Sequence, residues 1–443
     1  MANRNEGEAL SSRSNKSRHS PNISSAIVRR IIQVREPLQP NGQQPITKPT
    51  LRDILSGRRI RIPCIPSPWT SRDLGGEDIF PTCHTLLSTY ERKYGDVCCM
   101  VAGQDGLLYT GSCSQNIRVW KKGLPYGGFN NYEGPHYAIL LGPEDHVFVA
   151  CYDGRIRVWE KEDTEETQPP LYTHILSLPL MKDRMKEWFW RKLVRLERKF
   201  ERLYWHSFPT TCMCLSEDER YLYSGSTDHC MKIWRLEDWK FIEAKLEYHT
   251  FGVSAVAAGC DCLVFSGSLD GSLIMWKRNE DTERKNPTHT CVQYLLTEES
   301  PVPVTALLLK YTEEAESGEL YAGLWDGKVL VWKERNQWSH PEALSFHHEK
   351  VTCLARSPGP LVFSGSADGR ICVWRRESSS GPHTLVTVLS AHHGPVNCIA
   401  AVEDWEENDD GPCRCILYSG GRDKRLKTWR ITECTVDPTQ RGR

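Results

Sequence analysis

One 14-residue pattern ending in Trp recurs seven times between Leu107 and Trp429. The copies are LLYTGSCSQNIRVW (107–120), HVFVACYDGRIRVW (146–159), YLYSGSTDHCMKIW (221–234), LVFSGSLDGSLIMW (263–276), ELYAGLWDGKVLVW (319–332), LVFSGSADGRICVW (361–374) and ILYSGGRDKRLKTW (416–429). Each reads as a strand of β-branched or aromatic residues, a tight turn, and a second alternating strand closed by Trp. Six copies set Asp six residues before the Trp, and the first has Ser114 there. Such a period describes one supersecondary unit that buries its apolar faces only by stacking on its own kind. The period overrides chain length, since 443 residues would otherwise suggest about three domains.

The intervals supply further strands. GVSAVAA (252–258) and KVTCLAR (350–356) precede the 14-mer as inner strands, and FIEAKLE (241–247) and HTLVTVL (383–389) follow as outer strands. Four strands per repeat and seven repeats predict an all-β, seven-bladed β-propeller over residues 83–431. The chain stops soon after Trp429, which leaves the seventh blade one strand short. CHTLLSTYE (83–91), upstream of the first inner strand DVCCMVA (96–102), is expected to pair there and latch the ring. Residues 1–50, rich in Ser, Asn, Arg, Pro and Gln, read as a disordered basic tail, 51–82 as an extended connector, and 432–443 as a C-terminal tail.

Charge and hydropathy narrow the function class. The formal net charge is −1, so no global field marks a nucleic-acid binder. The twelve Lys or Arg against four acids in residues 1–62 imply only salt-sensitive, sequence-blind contacts. The longest apolar runs are about six residues, against roughly 20 for a membrane span, and the N-terminus has no secretory pattern. A cytoplasmic or nuclear protein is expected, its 18 cysteines acting as small buried hydrophobes.

Four blades carry a further register. A His precedes the inner strand and a Ser stands ten residues before the Trp. The sets are His206, Ser224, Asp228 and Trp234; His249, Ser266, Asp270 and Trp276; His347, Ser364, Asp368 and Trp374; His392, Ser419, Asp423 and Trp429. His, Ser and Asp together suggest nucleophilic catalysis, but fourfold repetition argues for structure, since an enzyme needs one site. With the Trp-ended repeats, these sets resemble the WD-repeat proteins, and that resemblance implies a buried hydrogen-bond tetrad tying each blade together. Val149 and Ala322 replace the Ser, and blades 1, 2 and 5 are expected to be less rigid.

Other features carry binding expectations. MKDRMKEWFWRKLVRLERKFERLYW (181–205) sets Met185, Phe189, Leu193, Leu196, Phe200 and Leu203 on one helical face. Such a basic amphipathic helix packs on the propeller, docks in a partner's groove (a calmodulin-like one included), or rests on an anionic membrane. Cys212/Cys214, Cys260/Cys262 and Cys413/Cys415 are Cys-x-Cys pairs, poorer zinc ligands than grouped Cys-x-x-Cys pairs. The run EDWEENDD (403–410) reads as a solvated loop. The turn position before each Asp holds Tyr152, Thr227, Leu269, Trp325, Ala367 and Arg422, which WD-repeat geometry places around the central channel. Tyr152, Trp325 and Arg422 are the partner-binding candidates, in keeping with hot-spot composition.

A finer resemblance rests on LLYTGSCSQNIRVWKK, LSLPLMKD and LVFSGSADGRICVWRRE (361–377), which look like the plant Jingubang-like WD-repeat proteins. It implies a regulatory adaptor that restrains pollen germination and tube growth. A monomeric, non-catalytic scaffold for protein partners is thus expected, with no cofactor, metal or small-molecule substrate. One alternative is a substrate receptor of a cullin-type ubiquitin ligase, which often has Asp after the Trp and Arg three after it; Trp332 is followed by Lys333 and Arg335. The other, a propeller enzyme, needs an acid-rich channel that no inward position clearly supplies.

Overall fold

The computed structural model describes residues 83–432, apart from 92–94, 132–133, 164–167, 181–205, 247, 260, 281–285, 296–300, 313–316, 377–380 and 405–413. The expected disordered tail 1–50, connector 51–82, helix 181–205 and nearly all of the C-terminal tail therefore lie outside the described residues. Seven four-stranded antiparallel sheets follow the seven repeats. Blades 1 to 6 cover 97–130, 136–178, 210–245, 253–294, 304–345 and 351–390. Blade 7 joins Val396–Glu403, Arg414–Gly421 and Arg425–Thr432 to Cys83–Glu91, 334 residues upstream where Glu91 faces Arg425. The inner strands pack in cyclic order, blade 7 against blade 1 included, which makes a closed seven-bladed β-propeller.

The blade-to-blade joint is built at the inner strands. All seven shift register after their first residue, as between Val253 and Ala255 or Val351 and Cys353. A bulge re-aims the extra residue's side chain, and in five blades that side chain spans to the next blade. Thr211 Oγ1 donates to the Val253 carbonyl at 2.6 Å, and Ser254 Oγ to that of Val304. Thr305 and Thr352 donate to the carbonyls of Val351 and Val396, and Asn397 Nδ2 to that of Val97 at 2.9 Å. The links thus run unbroken from blade 3 round to blade 1. At the two remaining joints the bulged residues are Cys98 and Tyr137, and other groups meet: Cys99 Sγ lies 3.7 Å from the His136 carbonyl, and Thr210 Oγ1 donates to Gly154 at 3.3 Å.

The same valines also need empty space. A Cβ added to Gly225, Gly267, Gly323, Gly365 or Gly420 would stand 2.5 to 2.9 Å from Cγ1 of Val253, Val304, Val351, Val396 or Val97 in the next blade. Only hydrogen fits, so each glycine is a socket for its neighbour's stiff, β-branched side chain. Blade 2 has Ala150 at this position, and there the next inner strand begins with Thr210. Farther out, Tyr223 Oη meets His289 Nε2 of blade 4 at 3.1 Å, and His289 Nδ1 meets Glu243 of blade 3 at 3.2 Å. Tyr321, His383 and Glu342 repeat this between blades 5 and 6, at 2.8 and 3.1 Å.

Within blades, hydrogen bonds form a one-way chain. Trp234 Nε1 donates to Ser224 Oγ at 3.0 Å, and Ser224 lies 2.9 Å from His206 Nε2. Indole N–H only donates, so the serine's single proton goes to Nε2, and Nδ1–H is left to donate to Asp228 at 3.0 Å. Asp228 also accepts the amides of Ser207 and Cys230 and so fixes its own turn. Blades 6 and 7 repeat the chain: Trp374–Ser364–His347–Asp368 at 2.8, 2.9 and 3.1 Å, and Trp429–Ser419–His392–Asp423 at 3.0, 3.0 and 2.9 Å. Blade 4 departs from the expected set. Trp276 and His249 flank Ser266 at 2.9 and 2.8 Å, but Ser272 sits between His249 and Asp270, which stand 4.0 Å apart.

Two of the three exceptional blades find partial substitutes. Trp120 Nε1 donates to Thr110 Oγ1 at 2.8 Å, and Trp159 Nε1 to Asn131 Oδ1 at 2.9 Å. In blade 5 Ala322 offers Trp332 no hydroxyl.

Burial holds His206 and His392 below the usual imidazole range and His249 down at about 4, so these rings stay neutral. Burial opposes the charge of Asp228, but His206 and the Ser207 amide outweigh it and hold the carboxyl down at about 2.

Two outcomes follow from this construction. Gly323→Ala should lower stability by about 1–3 kcal/mol in a denaturant titration, the overpacking cost exceeding the roughly 0.4–1 kcal/mol gained by restricting the unfolded chain. An unfolded His titrates near 6.5, so between that pH and about 4 the unfolded chain takes up a proton that folded His249 refuses. Stability is therefore complete above pH 6.5 and falls as pH drops through that window, by about 3 kcal/mol for such a ring. Asp228, with its lowered folded-state value, adds a loss below about pH 4 as it protonates. Melts from pH 7.5 to 4 should show Tm falling with acid, and His249→Gln should flatten part of the slope.

Candidate interaction face

The Asp-bearing turns and the loops entering the inner strands lie together at one end of the ring. In five blades the amide of the residue before the Asp donates to its own blade's entry loop: Thr227 to Pro209 at 3.3 Å, Leu269 to Gly252 at 3.0 Å, Trp325 to Pro303 at 3.0 Å, Ala367 to Lys350 at 3.0 Å and Arg422 to Pro395 at 2.9 Å. The next blade's entry loop presses on the same turn. At Gly327, where φ is +89°, a Cβ would stand 2.5 Å from the His347 carbonyl, and at Gly369, where φ is +80°, 2.4 Å from that of His392. Glycine is required there on both counts. Turns and loops thus interleave into a continuous rim.

The sequence-derived candidates have unequal settings on this rim. Tyr152 is 59% exposed and Trp325 51%, while Leu269 and Thr227 are exposed and Ala367 is half-buried. The Arg422 side chain is 71% exposed, with Asp96 of blade 1 at 3.9 Å. Phe208 and Phe251, both more than half exposed, escaped the sequence reading. Their signal was position: each stands two residues after a tetrad His, in His206-Ser207-Phe208 and His249-Thr250-Phe251. Lys350 also escaped it. Its ammonium lies 4.2 Å from the Trp325 ring centroid, a cation–π contact between blades 5 and 6. Burial lowers the Lys350 pKa, with Glu349 opposing and Arg422 adding to the fall.

The buried tetrads lie beneath these tips and offer no exposed nucleophile; His206, Ser224 and Asp228 are at most 2% exposed. Among the described residues no three of His, Cys, Asp and Glu gather in a metal-holding group. Burial pushes the Cys212 thiol up to about 12 and that of Cys214 well above its usual range, while Cys260 and Cys413 lie outside the described residues. The acidic run is not wholly solvated as expected: Asp404 is buried, with Arg430 Nε at 2.7 Å, and 405–410 lie outside the described residues. Arg335 is exposed in the 3-10 turn Glu334–Asn336, and Lys333 pairs with Glu342 at 3.6 Å. No helix of the described residues is long and apolar enough to cross a membrane.

The WD40 repeat family (WD domain, G-beta repeat) matches residues 198–235, 242–277, 341–375 and 383–430. These segments end on the Trp strands of blades 3, 4, 6 and 7, the four that hold a His, Ser, Asp and Trp. The chain is similar to Protein ROOT INITIATION DEFECTIVE 3 of Arabidopsis thaliana, 28% identical over 218 residues, 45% of this chain and 46% of that one. It is similar to Ribosome biogenesis protein YTM1 of Candida glabrata, 26% identical over 231 residues, 49% of this chain and 45% of the other. Zinc finger CCCH domain-containing protein 62 of Arabidopsis thaliana is 29% identical over 199 residues, 42% and 38% of the two chains. The chain spans less than half the length of each of these relatives. Propellers of this type generally act as protein-interaction scaffolds. Four segments of the chain match the WD40 repeat family, and they lie in a ring of seven blades.

Proposed function

We propose that this protein is a regulatory adaptor that captures a protein partner on the rim of Asp-bearing turns, with Trp325 as its main anchor. The observation that carries this is the setting of Trp325. A large indole is half exposed, its backbone amide is tied to Pro303, and its ring is fixed under Lys350. An aromatic side chain that is already ordered loses little freedom on binding, and Trp is the residue type most enriched among binding hot spots. Tyr152, Phe208 and Phe251 extend apolar contact around the same rim, and Arg422 ends it with a charge.

The finer assignment follows the Jingubang-like resemblance: a cytosolic or nuclear adaptor, acting as a monomer, that restrains pollen germination and tube growth. The basic segment 181–205 would serve it as a second docking element.

Trp325→Ala should fold as the parent does yet lose its partner, with affinity falling about thirtyfold for a hot spot worth roughly 2 kcal/mol. Affinity purification of the full chain and of this variant, followed by quantitative mass spectrometry, checks this; partners retained equally by both would remove the anchor. Expression of the full chain in germinating pollen should delay tube emergence, and the variant should not.

A further inference from the structure

Blade 1 departs from the repeat at two positions, and both hold sulfur. Cys98 stands at the bulge of its inner strand, where blades 3 to 7 carry Thr211, Ser254, Thr305, Thr352 and Asn397. Cys113 stands at the turn position before Ser114, where the other blades carry their rim residues. Val97 faces Ser112 and Cys99 faces Gly111, so Cys98 is the extra residue, and the bulge re-aims its side chain. Its Sγ lies 3.5 Å from that of Cys113, and both are thiols. Among the described cysteines Cys113 alone is exposed, not the buried hydrophobe expected, so solvent reaches one sulfur of the pair directly. The turn itself is held in place. Ser112 Oγ meets Ser114 Oγ at 2.6 Å, and a Cβ on Gly134, in the loop entering blade 2, would stand 2.7 Å from the Ser114 carbonyl.

We propose that Cys98 and Cys113 are a reversible oxidation site, joined as a disulfide by hydrogen peroxide, and that the bond ties the turn of blade 1 to its inner strand. Cys113 Sγ, as thiolate, attacks one peroxide oxygen. The O–O bond breaks, Cys113 becomes a sulfenic acid, and the hydroxide released takes a proton and leaves as water. Cys98 Sγ then attacks Cys113 Sγ; the S–S bond forms, the S–O bond breaks, and the hydroxyl leaves as water with the Cys98 proton. Two thiols and one peroxide thus give one disulfide and two waters. A small dithiol reverses the bond by exchange and is itself oxidised. The two sulfurs need to close by about 1.5 Å to reach bonding length. Blade 1 has neither the His nor the Asp of a tetrad, so the bond does covalently what hydrogen bonds do in blades 3, 6 and 7. Elsewhere burial works against the same chemistry: it pushes the Cys212 and Cys353 thiols up to about 12 and leaves little thiolate to react.

The test is to reduce the full chain, titrate it with hydrogen peroxide, alkylate the remaining thiols, and map the digest by mass spectrometry. Two peptides joined through Cys98 and Cys113, lighter by two hydrogens than the separate thiols, should appear before Cys212 or Cys353 is oxidised, and dithiothreitol should undo the link. In the oxidised chain the amides of 97–112 should exchange about tenfold more slowly than in the reduced chain. Cys98→Thr copies the bulge residue of blades 3, 5 and 6, and Cys113→Ser changes an exposed position. Both should melt as the reduced parent does, and each should lose the joined peptides and the slowing. Sulfenic or sulfinic acid at Cys113 with Cys98 still a thiol would overturn the proposal. So would a Cys113–Cys113 bond between two chains, oxidation that begins at the buried cysteines, or a joined pair that leaves exchange of 97–112 unchanged.

Discussion

Everything in this molecule depends on each sheet having another sheet to lie against on both faces. A lone four-stranded blade leaves two apolar surfaces in water, and a stack of them leaves two exposed ends; only a ring leaves none. The ring is closed twice. At its centre the Val97 side chain enters the socket of Gly420 and its carbonyl accepts from Asn397, the same joint that links blades 3 to 7. At its edge Cys83–Glu91 completes blade 7, so the two ends of the repeat array share one sheet. The bulge, the hydroxyl or amide on it, and the socket glycine form one device: the bulge aims the donor, and the glycine lets the valine come near enough to receive it.

The tetrads serve a different purpose. In blades 3, 6 and 7 each runs from a buried Trp in the third strand, through Ser and His, to an Asp in the turn at the rim, with Ser272 as an added link in blade 4, and so ties the tip of a turn to the core. The residue before that Asp inherits a fixed position. Trp325 and Tyr152 are instructive because they stand on blades 5 and 2, where the chain to the core is missing. Asp326 accepts the Lys328 amide and so caps its own turn, while Asp153 accepts that of Arg155 and also pairs with the buried Arg157 guanidinium at 3.0 Å. Trp325 is held instead by Pro303 and by Lys350 of the next blade. Trp325 thus sits where the tetrad is missing and an inter-blade contact takes over, while the exposed Phe208 and Phe251 stand on the entry loops of blades 3 and 4.

How much of this the sequence disclosed depends on the span of each interaction. Trp234 and Ser224 are ten residues apart, a fixed offset across one hairpin, so the Trp-ended copies and their Ser and Asp could be read directly. The pairing of 83–91 with the last blade was also readable, because one blade lacked a strand. The socket glycines were visible as letters but not as sockets, since Gly420 meets a valine from the other end of the array. The bulge donors Thr211, Ser254, Thr305, Thr352 and Asn397 differ in type and make sense only against the next blade's carbonyl. Asn131, which accepts from Trp159 where blade 2 has no Ser, stands 28 residues before that Trp, the offset at which His206 precedes Trp234, but its bond to the indole could not be read from that spacing. Ser272 in blade 4 and the burial of Asp404 are likewise local outcomes of packing.

Blades with both a tetrad and an inner-strand link should form the rigid arc of the ring, with blades 1 and 2 as its yielding sector. Native-state hydrogen exchange on the full chain measures this directly, because protection reports the free energy of local opening. The slowest amides should fall in the inner and second strands of blades 3, 4, 6 and 7, with those of 97–112 and 136–151 opening well before them. Equal protection across all seven blades, or slowest exchange in blades 1 and 2, would contradict the account.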